Sequence, residues 1–273
     1  MGRRRAQLAA RPTSHGDITA TRADVIIDNH RLETLFIAGD TARATIVLLH
    51  EGLGSLDLWR DLPQQLAVAS RRSVLAYSRY GYGNSDPFAE PREPGYMHHE
   101  AGVVLPALLA HFATAHPILM GHSDGASIAL IAAGNGSTDP TALVLIAPHV
   151  FVEELSLRSI AATRVQYQTT DLRTKLARRH ADVDATFFGW NDVWLDPRFR
   201  DWNIEQSIDG IRCPVLLVQG EDDEYGTIAQ IDAICKRKSA SAVIVPRAAH
   251  SPHRDAPEFV LAAIVDFVDG LER

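Results

Sequence analysis

The 273-residue chain is 46% hydrophobic, enough to build the core of one large α/β domain or a domain with an insertion. Its 27 basic and 34 acidic residues give a net charge of −7, and removing the four arginines of residues 1–16 leaves −11 on the remainder. That balance argues against a nucleic-acid surface, which needs clustered positive charge. Two cysteines, Cys213 before a strand-like run and Cys235 in a helical one, are too few for a disulfide framework and suit a reducing, cytoplasmic setting.

The chain opens on "MGRRRAQLAARPTSHGD", with Arg3, Arg4, Arg5 and Arg11 but no apolar signal-peptide core. Residues 1–20 are expected to form a disordered basic tail, with a transit peptide as the other reading of the same composition. "DVIIDN" and "LETLFIAG" then predict an antiparallel hairpin at a sheet edge. Six apolar runs follow as strands: 44–50, 73–78, 117–123, 142–148, 214–220 and 241–246. Their near-continuous Val, Ile and Leu predict a mostly parallel sheet buried on both faces. Between them, helical spacing marks residues 56–70, 98–114, 124–134, 226–237 and 255–270. The longest apolar stretch, "VVLPALLAHFATAHPILM", is interrupted by Pro106, His111, His116 and Pro117, so no membrane span is expected.

The rhythm breaks between the strands ending at Pro148 and beginning at Pro214, where the connection is far longer than an α/β unit needs. Trp190, Trp194 and Trp202 fall here. The expected organisation is a core of residues 21–148 and 208–273, with residues 149–207 inserted as a helical lid over the carboxyl ends of the strands, where ligands of such sheets bind.

"GHSDGAS" sets Ser123 between an apolar strand and the helical run "ASIALIAAG", on a tight strand-to-helix turn. Gly121 and Gly125 let strand and helix approach closely there. A serine hydroxyl needs a neighbouring base, and in this architecture the chain order is serine, acid, histidine. The acid should follow the next long strand, where "LLVQGEDDEYG" offers Glu221, Asp222, Asp223 and Glu224; the histidine should follow the last strand, where "VPRAAHSPHRDAP" offers His250 and His253.

With these motifs in place, the chain resembles the α/β-hydrolase superfamily from about residue 25 to 270. The resemblance implies Asp223 as the acid, third after Gly220, and His250 as the histidine, with Ala249 before it where glycine is usual. A backbone oxyanion hole is expected from the N–H of Asp124 and, by the family position of "LLHEGLGS", that of Gly52. Glu51 stands where glycine is common; it is expected either to orient a cationic or hydroxylated substrate or to bond to loop backbone. Trp190, Trp194 and the carboxylate of Asp124 are further candidates for substrate contact, although a helix N-terminus is reason enough for an aspartate.

"YSRYGYGNSD" reads as a turn beside the site, with Arg79 paired to a loop acid, since it lacks the lysine of a phosphate loop. His98, His99 and Glu100 are adjacent on a helix and point apart, so no metal is expected. The resulting expectation is a cofactor-free serine hydrolase of ester-like acyl substrates, with a small-molecule acyl partner and neither nucleic acid nor membrane. C–C bond hydrolase, lactonase or aminopeptidase activity on the same fold, or a receptor retaining the triad, are the alternatives.

Overall fold

The computed structural model describes residues 19–271. The basic tail therefore lies outside the described residues, except that Thr19 and Ala20 are already part of the first strand pair: Ala38 donates its N–H to the Thr19 carbonyl at 3.0 Å. Eight strands follow, β1 (Ala20–Ile27), β2 (His30–Ile37), β3 (Ile46–Leu49), β4 (Val74–Tyr77), β5 (Ile118–His122), β6 (Ala142–Ile146), β7 (Val215–Gly220) and β8 (Ser241–Val245). They form one sheet in the order β1-β2-β4-β3-β5-β6-β7-β8. β1 and β2 are antiparallel to each other, β2 runs antiparallel to β4, and the remaining pairs are parallel. Asp28 and Asn29, both at positive φ (51° and 64°), make the two-residue turn whose twist suits a hairpin.

Eleven α-helical segments surround the sheet among the described residues: α1 (Leu62–Ser70), α2 (Tyr96–His99), α3 (Leu105–His111), α4 (Asp124–Gly134), α5 (Glu154–Thr169), α6 (Leu172–Leu176), α7 (Val183–Leu195), α8 (Glu205–Ile208), α9 (Ile228–Arg237), α10 (Pro252–Asp255) and α11 (Pro257–Gly270). Alternate strand residues feed two cores. Val47, Leu75, Leu119, Leu143 and Leu217 pack with α3, α4, α9 and the helices that follow β6, whereas Ile46, Ala76, Met120, Val144 and Val218 pack with α1 and α11. Helix α4 is buried from Asp124 to Ala133, which explains its nearly all-apolar sequence.

Two departures from the expected elements lie beside prolines. The helix expected over 98–114 begins at Tyr96 and widens into a π-helical turn at Glu100–Val104, just ahead of Pro106, which has no N–H to give the preceding turn. The helix expected over 255–270 is α11, which starts at Pro257; the short α10 precedes it as a separate helix, because Ala256 before Pro257 is held out of helical geometry (φ −135°, ψ 62°). At its front end, the helix expected from 56 is a 3₁₀ turn (Leu56–Trp59) followed, past Arg60 at positive φ, by α1. Burial on both faces holds for β3 to β7 but not for β8, which is the sheet edge and leaves Ser241, Ala242 and Ile244 exposed.

Between β6 and β7 the chain forms α5 to α8. Its two ends are strapped together, since Ile204 donates to the Val150 carbonyl at 2.8 Å and Val152 to the Trp202 carbonyl at 3.3 Å. The segment leaves the sheet at the carboxyl end of β6, the same end at which β5 delivers Ser123, and past the strap α8 carries the chain back to the amino end of β7.

Candidate active site

Ser123 occupies the single residue between β5 and α4, with φ 52° and ψ −117°. This is a strained conformation for a residue with a side chain, and it turns the hydroxyl out of the strand. The turn closes only because its glycines lack side chains: a Cβ on Gly121 would lie 2.2 Å from the Gly125 carbonyl oxygen, and one on Gly125 2.0 Å from the Leu49 carbonyl oxygen. The Ser123 N–H stays in the sheet, bonded to the Ile146 carbonyl at 2.9 Å.

The loop after β8 brings His250 to this hydroxyl. His250 Nε2 lies 2.9 Å from Ser123 Oγ, while Nδ1 lies 2.8 and 2.9 Å from the two oxygens of Asp223. Asp223 is itself fixed by the N–H groups of Tyr225 and Gly226 (2.8 and 3.1 Å) and by the Gln219 amide at 2.7 Å. Burial opposes its ionisation, but the bond to His250 outweighs this and holds the carboxyl below its ordinary range. Of the other acids in "GEDDEYG", Glu224 accepts the backbone N–H of His250 at 3.0 Å and Glu221 that of Arg247 at 3.2 Å. Asp222 is exposed. The structure thus brings Asp223 alone of the four to the imidazole. His253, the rival histidine, is buried against Trp59 and His122. Ala249 is not at positive φ, and its N–H is held by Asp255 at 2.9 Å, so glycine is dispensable there.

Facing Ser123 is a cavity of about 150 Å³. Glu51 to Leu53 wall one side, Trp190 and Trp194 from α7 another, and His149, Tyr225 and His250 a third. No lysine or arginine lines it among the described residues. Gly52 sits directly beneath Trp190; a Cβ there would lie 2.1 Å from the indole nitrogen. The N–H of Asp124, at the first position of α4, has no acceptor within its own helix. His149 is driven down to about 3 by burial and by the neighbouring His250, so it is neutral.

Two expected carboxylate roles change. Glu51 neither faces the cavity freely nor bonds to loop backbone: Arg254 Nη2 lies 2.8 Å from its Oε1 and His122 Nδ1 3.4 Å from its Oε2. Burial opposes its charge, but Arg254 and His122 outweigh this and hold it well below the carboxylate range. The Asp124 carboxylate is fully buried and accepts the Tyr96 hydroxyl at 2.6 Å and the Trp194 indole at 3.2 Å. Arg79, expected to pair with a loop acid, instead approaches this same carboxylate at 3.9 Å. Sequence reasoning missed Tyr96, Arg254 and His149. Arg254 stands in plain view in "HSPHRDAP", but its partner Glu51 is 203 positions away.

Trp202 stacks on Phe199 (5.2 Å between centroids) and stays out of the cavity. His99 binds Asp28 at 2.7 Å and Glu100 is buried. Among the described residues no group of His, Cys, Asp and Glu is arranged to hold a metal, no helix is long and apolar enough to cross a membrane, and Cys213 and Cys235 are free thiols.

Residues 46–263 match a family model described as the alpha/beta hydrolase family. A 2-(acetamidomethylene)succinate hydrolase of Mesorhizobium japonicum is 26% identical over 264 residues, spanning 84% of this chain and 94% of that protein. Among solved structures, a 2-hydroxy-6-oxo-6-phenylhexa-2,4-dienoate hydrolase from Rhodococcus sp. superposes with a TM-score of 0.76 at 15% identity, covering 91% of this chain and 98% of that one. A carboxylesterase from Bacillus subtilis superposes with a TM-score of 0.66 at 19% identity, covering 93% of each chain.

Proposed function

Because the chain belongs to the alpha/beta hydrolase family, we propose that it hydrolyses a small, uncharged, ester-like acyl substrate with Ser123 as nucleophile, His250 as base and Asp223 as its orienting acid. The observation that carries this reading is the continuous hydrogen-bonded chain from Ser123 Oγ through His250 to Asp223. Ser123 Oγ attacks the acyl carbon as its proton passes to His250 Nε2. Asp223, ionised and bonded to Nδ1, keeps the imidazole in the tautomer that can accept that proton and stabilises the cation that results. The tetrahedral oxygen is held by the N–H groups of Gly52 and Asp124, each worth roughly 2.7–4 kcal/mol in the barrier. His250 then returns its proton to the leaving alkoxide, and a water activated by the same nitrogen releases the acid.

The preference for an uncharged substrate rests on the cavity wall. His149 is neutral, Glu51 is neutralised by Arg254, and no lysine or arginine lines the space. An anionic substrate finds no partner, and an aminoacyl group finds no free carboxylate. α7 contributes Trp190 and Trp194 to that wall, and residues 149–207 are accordingly assigned the part of a lid.

A second reading, C–C bond or enamide hydrolysis, is favoured by the names of two of the similar proteins. Those names denote a succinate and a dienoate, both anionic, for which this cavity offers no cation. The deciding experiment is fluorophosphonate labelling of the wild type and Ser123→Ala, followed by turnover of p-nitrophenyl esters, aminoacyl esters and ring-cleavage products. Loss of labelling in Ser123→Ala with preferred turnover of neutral esters is expected. Persistent labelling would remove Ser123 as nucleophile, preference for an anionic ring-cleavage product would favour the second reading, and binding without turnover of any class would make the protein a receptor.

A further inference from the structure

The peptide unit that presents the Gly52 N–H has its carbonyl on Glu51, and that carbonyl is gripped from behind. Arg79 Nη2 donates to it at 3.0 Å and His50 Nδ1 lies 2.7 Å from it. The tautomer of His50 is set by the chain itself, because the Arg79 backbone N–H donates to His50 Nε2 at 3.1 Å, leaving the proton on Nδ1. Burial and the Arg79 charge both push the His50 pKa well down, so the ring is a neutral donor. The same Arg79 nitrogen lies 3.9 Å from the carboxylate of Asp124, whose own N–H is the other oxyanion donor. Arg79 is completely buried, its guanidinium 4.9 Å from the Tyr82 ring.

We propose that Arg79 is a positioning residue that holds both N–H donors of the oxyanion hole, one through the Glu51 carbonyl and the other through the Asp124 carboxylate. The inference rests on the hydrolytic reading given above. A peptide is planar with N–H and C=O opposed, so a cation fixed on the carbonyl oxygen aims the N–H the opposite way, toward the cavity. It also polarises the amide and makes that N–H a stronger donor. A buried cation is costly to install, and Arg79 sits where its charge favours the reaction without touching substrate, since it is absent from the cavity wall. Lysine in its place would keep the charge but not the rigid guanidinium that sets Nη2 between both partners.

The test compares the wild type, Arg79→Lys and Arg79→Met by kcat and KM on a neutral p-nitrophenyl ester, and by affinity for an alkyl boronic acid, whose tetrahedral adduct on serine places an oxygen in the hole. Removing one oxyanion donor costs about 10²–10³ in kcat, so Arg79→Met is expected to lose about a hundredfold in kcat and to weaken boronate binding in parallel, with KM within about threefold of the wild type. Arg79→Lys should fall between, at about a tenfold loss. A kcat near wild type in either folded variant overturns the proposal, as does a fall in kcat with boronate affinity unchanged. If Arg79→Met does not fold, Arg79→Lys decides by the same two readouts. A wild type that is not labelled by a fluorophosphonate overturns the hydrolytic reading itself and the proposal with it, whereas labelling with unaffected Arg79 variants overturns the proposal alone.

Discussion

The indole N–H of Trp194 donates to the Asp124 carboxylate at 3.2 Å, joining α7 to the residue that follows Ser123 across 70 positions of sequence. Both side chains are buried, and the Tyr96 hydroxyl completes the same oxygen cluster at 2.6 Å. The helices between β6 and β7 are therefore anchored on the start of α4 rather than merely resting above it. Trp194→Phe keeps most of the ring and removes the donor. A hydrogen bond to a charged group contributes about 1.5–3 kcal/mol, so the variant should lose about that much in urea unfolding. Equal stability in the two proteins would show that the contact carries no energy.

The choice of acid makes a sharper kinetic prediction. Asp223→Asn removes the charge that steadies His250 and should lower kcat by about 10⁴-fold, the scale seen when a triad aspartate becomes an amide. Asp222→Asn, at an exposed neighbour on the same loop, should leave kcat within about twofold. Comparable losses at both positions would mean that the loop, not the hydrogen bond to His250, is what the substitution disturbs.

Why Asp223 was legible and Asp124's partners were not follows from sequence distance. Ser123, Asp223 and His250 each follow an apolar strand, and parallel strands deliver their carboxyl ends to one edge, so strand order alone brings the three together. Strand boundaries were legible for the same reason, since β5 and β7 are apolar runs closed by glycine or histidine. Carboxylate pairing obeys no such periodicity. Glu51 looks like a free acid in "HEGLGS" until the final loop folds back and sets Arg254 against it. Asp124 looks like a simple helix-start residue until Tyr96, Arg79 and Trp194 converge on it from three separate segments. The helix read as regular over 98–114 contains a π-helical turn ahead of Pro106, and the one read from 255 starts only at Pro257, local effects that periodicity overlooks.

Three neutral histidines give the fold a defined acid sensitivity. His149 is held near 3, and burial, the largest cause in each case, drives His50 and His253 well below the ordinary range. In the unfolded chain each titrates near about 6.5. Above that pH both states are uncharged and stability is flat; below it the unfolded chain takes up protons that the folded one refuses, so stability falls as pH falls toward the folded pKa. Each group steepens the slope by up to about 1.4 kcal/mol per pH unit. Asp223, held low by its hydrogen bond to His250, and Glu51, held well down chiefly by Arg254, add losses in the same direction only at more acidic pH. Urea midpoints between pH 7 and 5 should therefore drop, and His149→Gln should flatten the profile. A profile of unchanged slope in that variant would mean that His149 is not buried neutral.

Gly52 and Trp190 make the last prediction, because their contact leaves no room for a side chain. A Cβ on Gly52 would stand 2.1 Å from the Trp190 indole nitrogen and 2.3 Å from its neighbouring ring carbon, closer than real Cβ atoms approach. Either the indole must leave its place in the cavity wall or the 51–52 peptide must rotate. Rotation turns the N–H away from the oxyanion position proposed for it, for which about 10²–10³ in kcat is the expected loss. Trp190 packs edge-on against Phe187, with ring centroids 6.1 Å apart, and is nearly fully buried, so the backbone is the softer element. Gly52→Ala should accordingly lower kcat more than it raises KM. Replacing the indole with a smaller side chain in Gly52→Ala/Trp190→Leu should recover at least about tenfold of the lost kcat, because the clash is gone and the peptide can return. A double variant no faster than Gly52→Ala alone would trace the defect to the backbone preference of alanine rather than to its collision with Trp190.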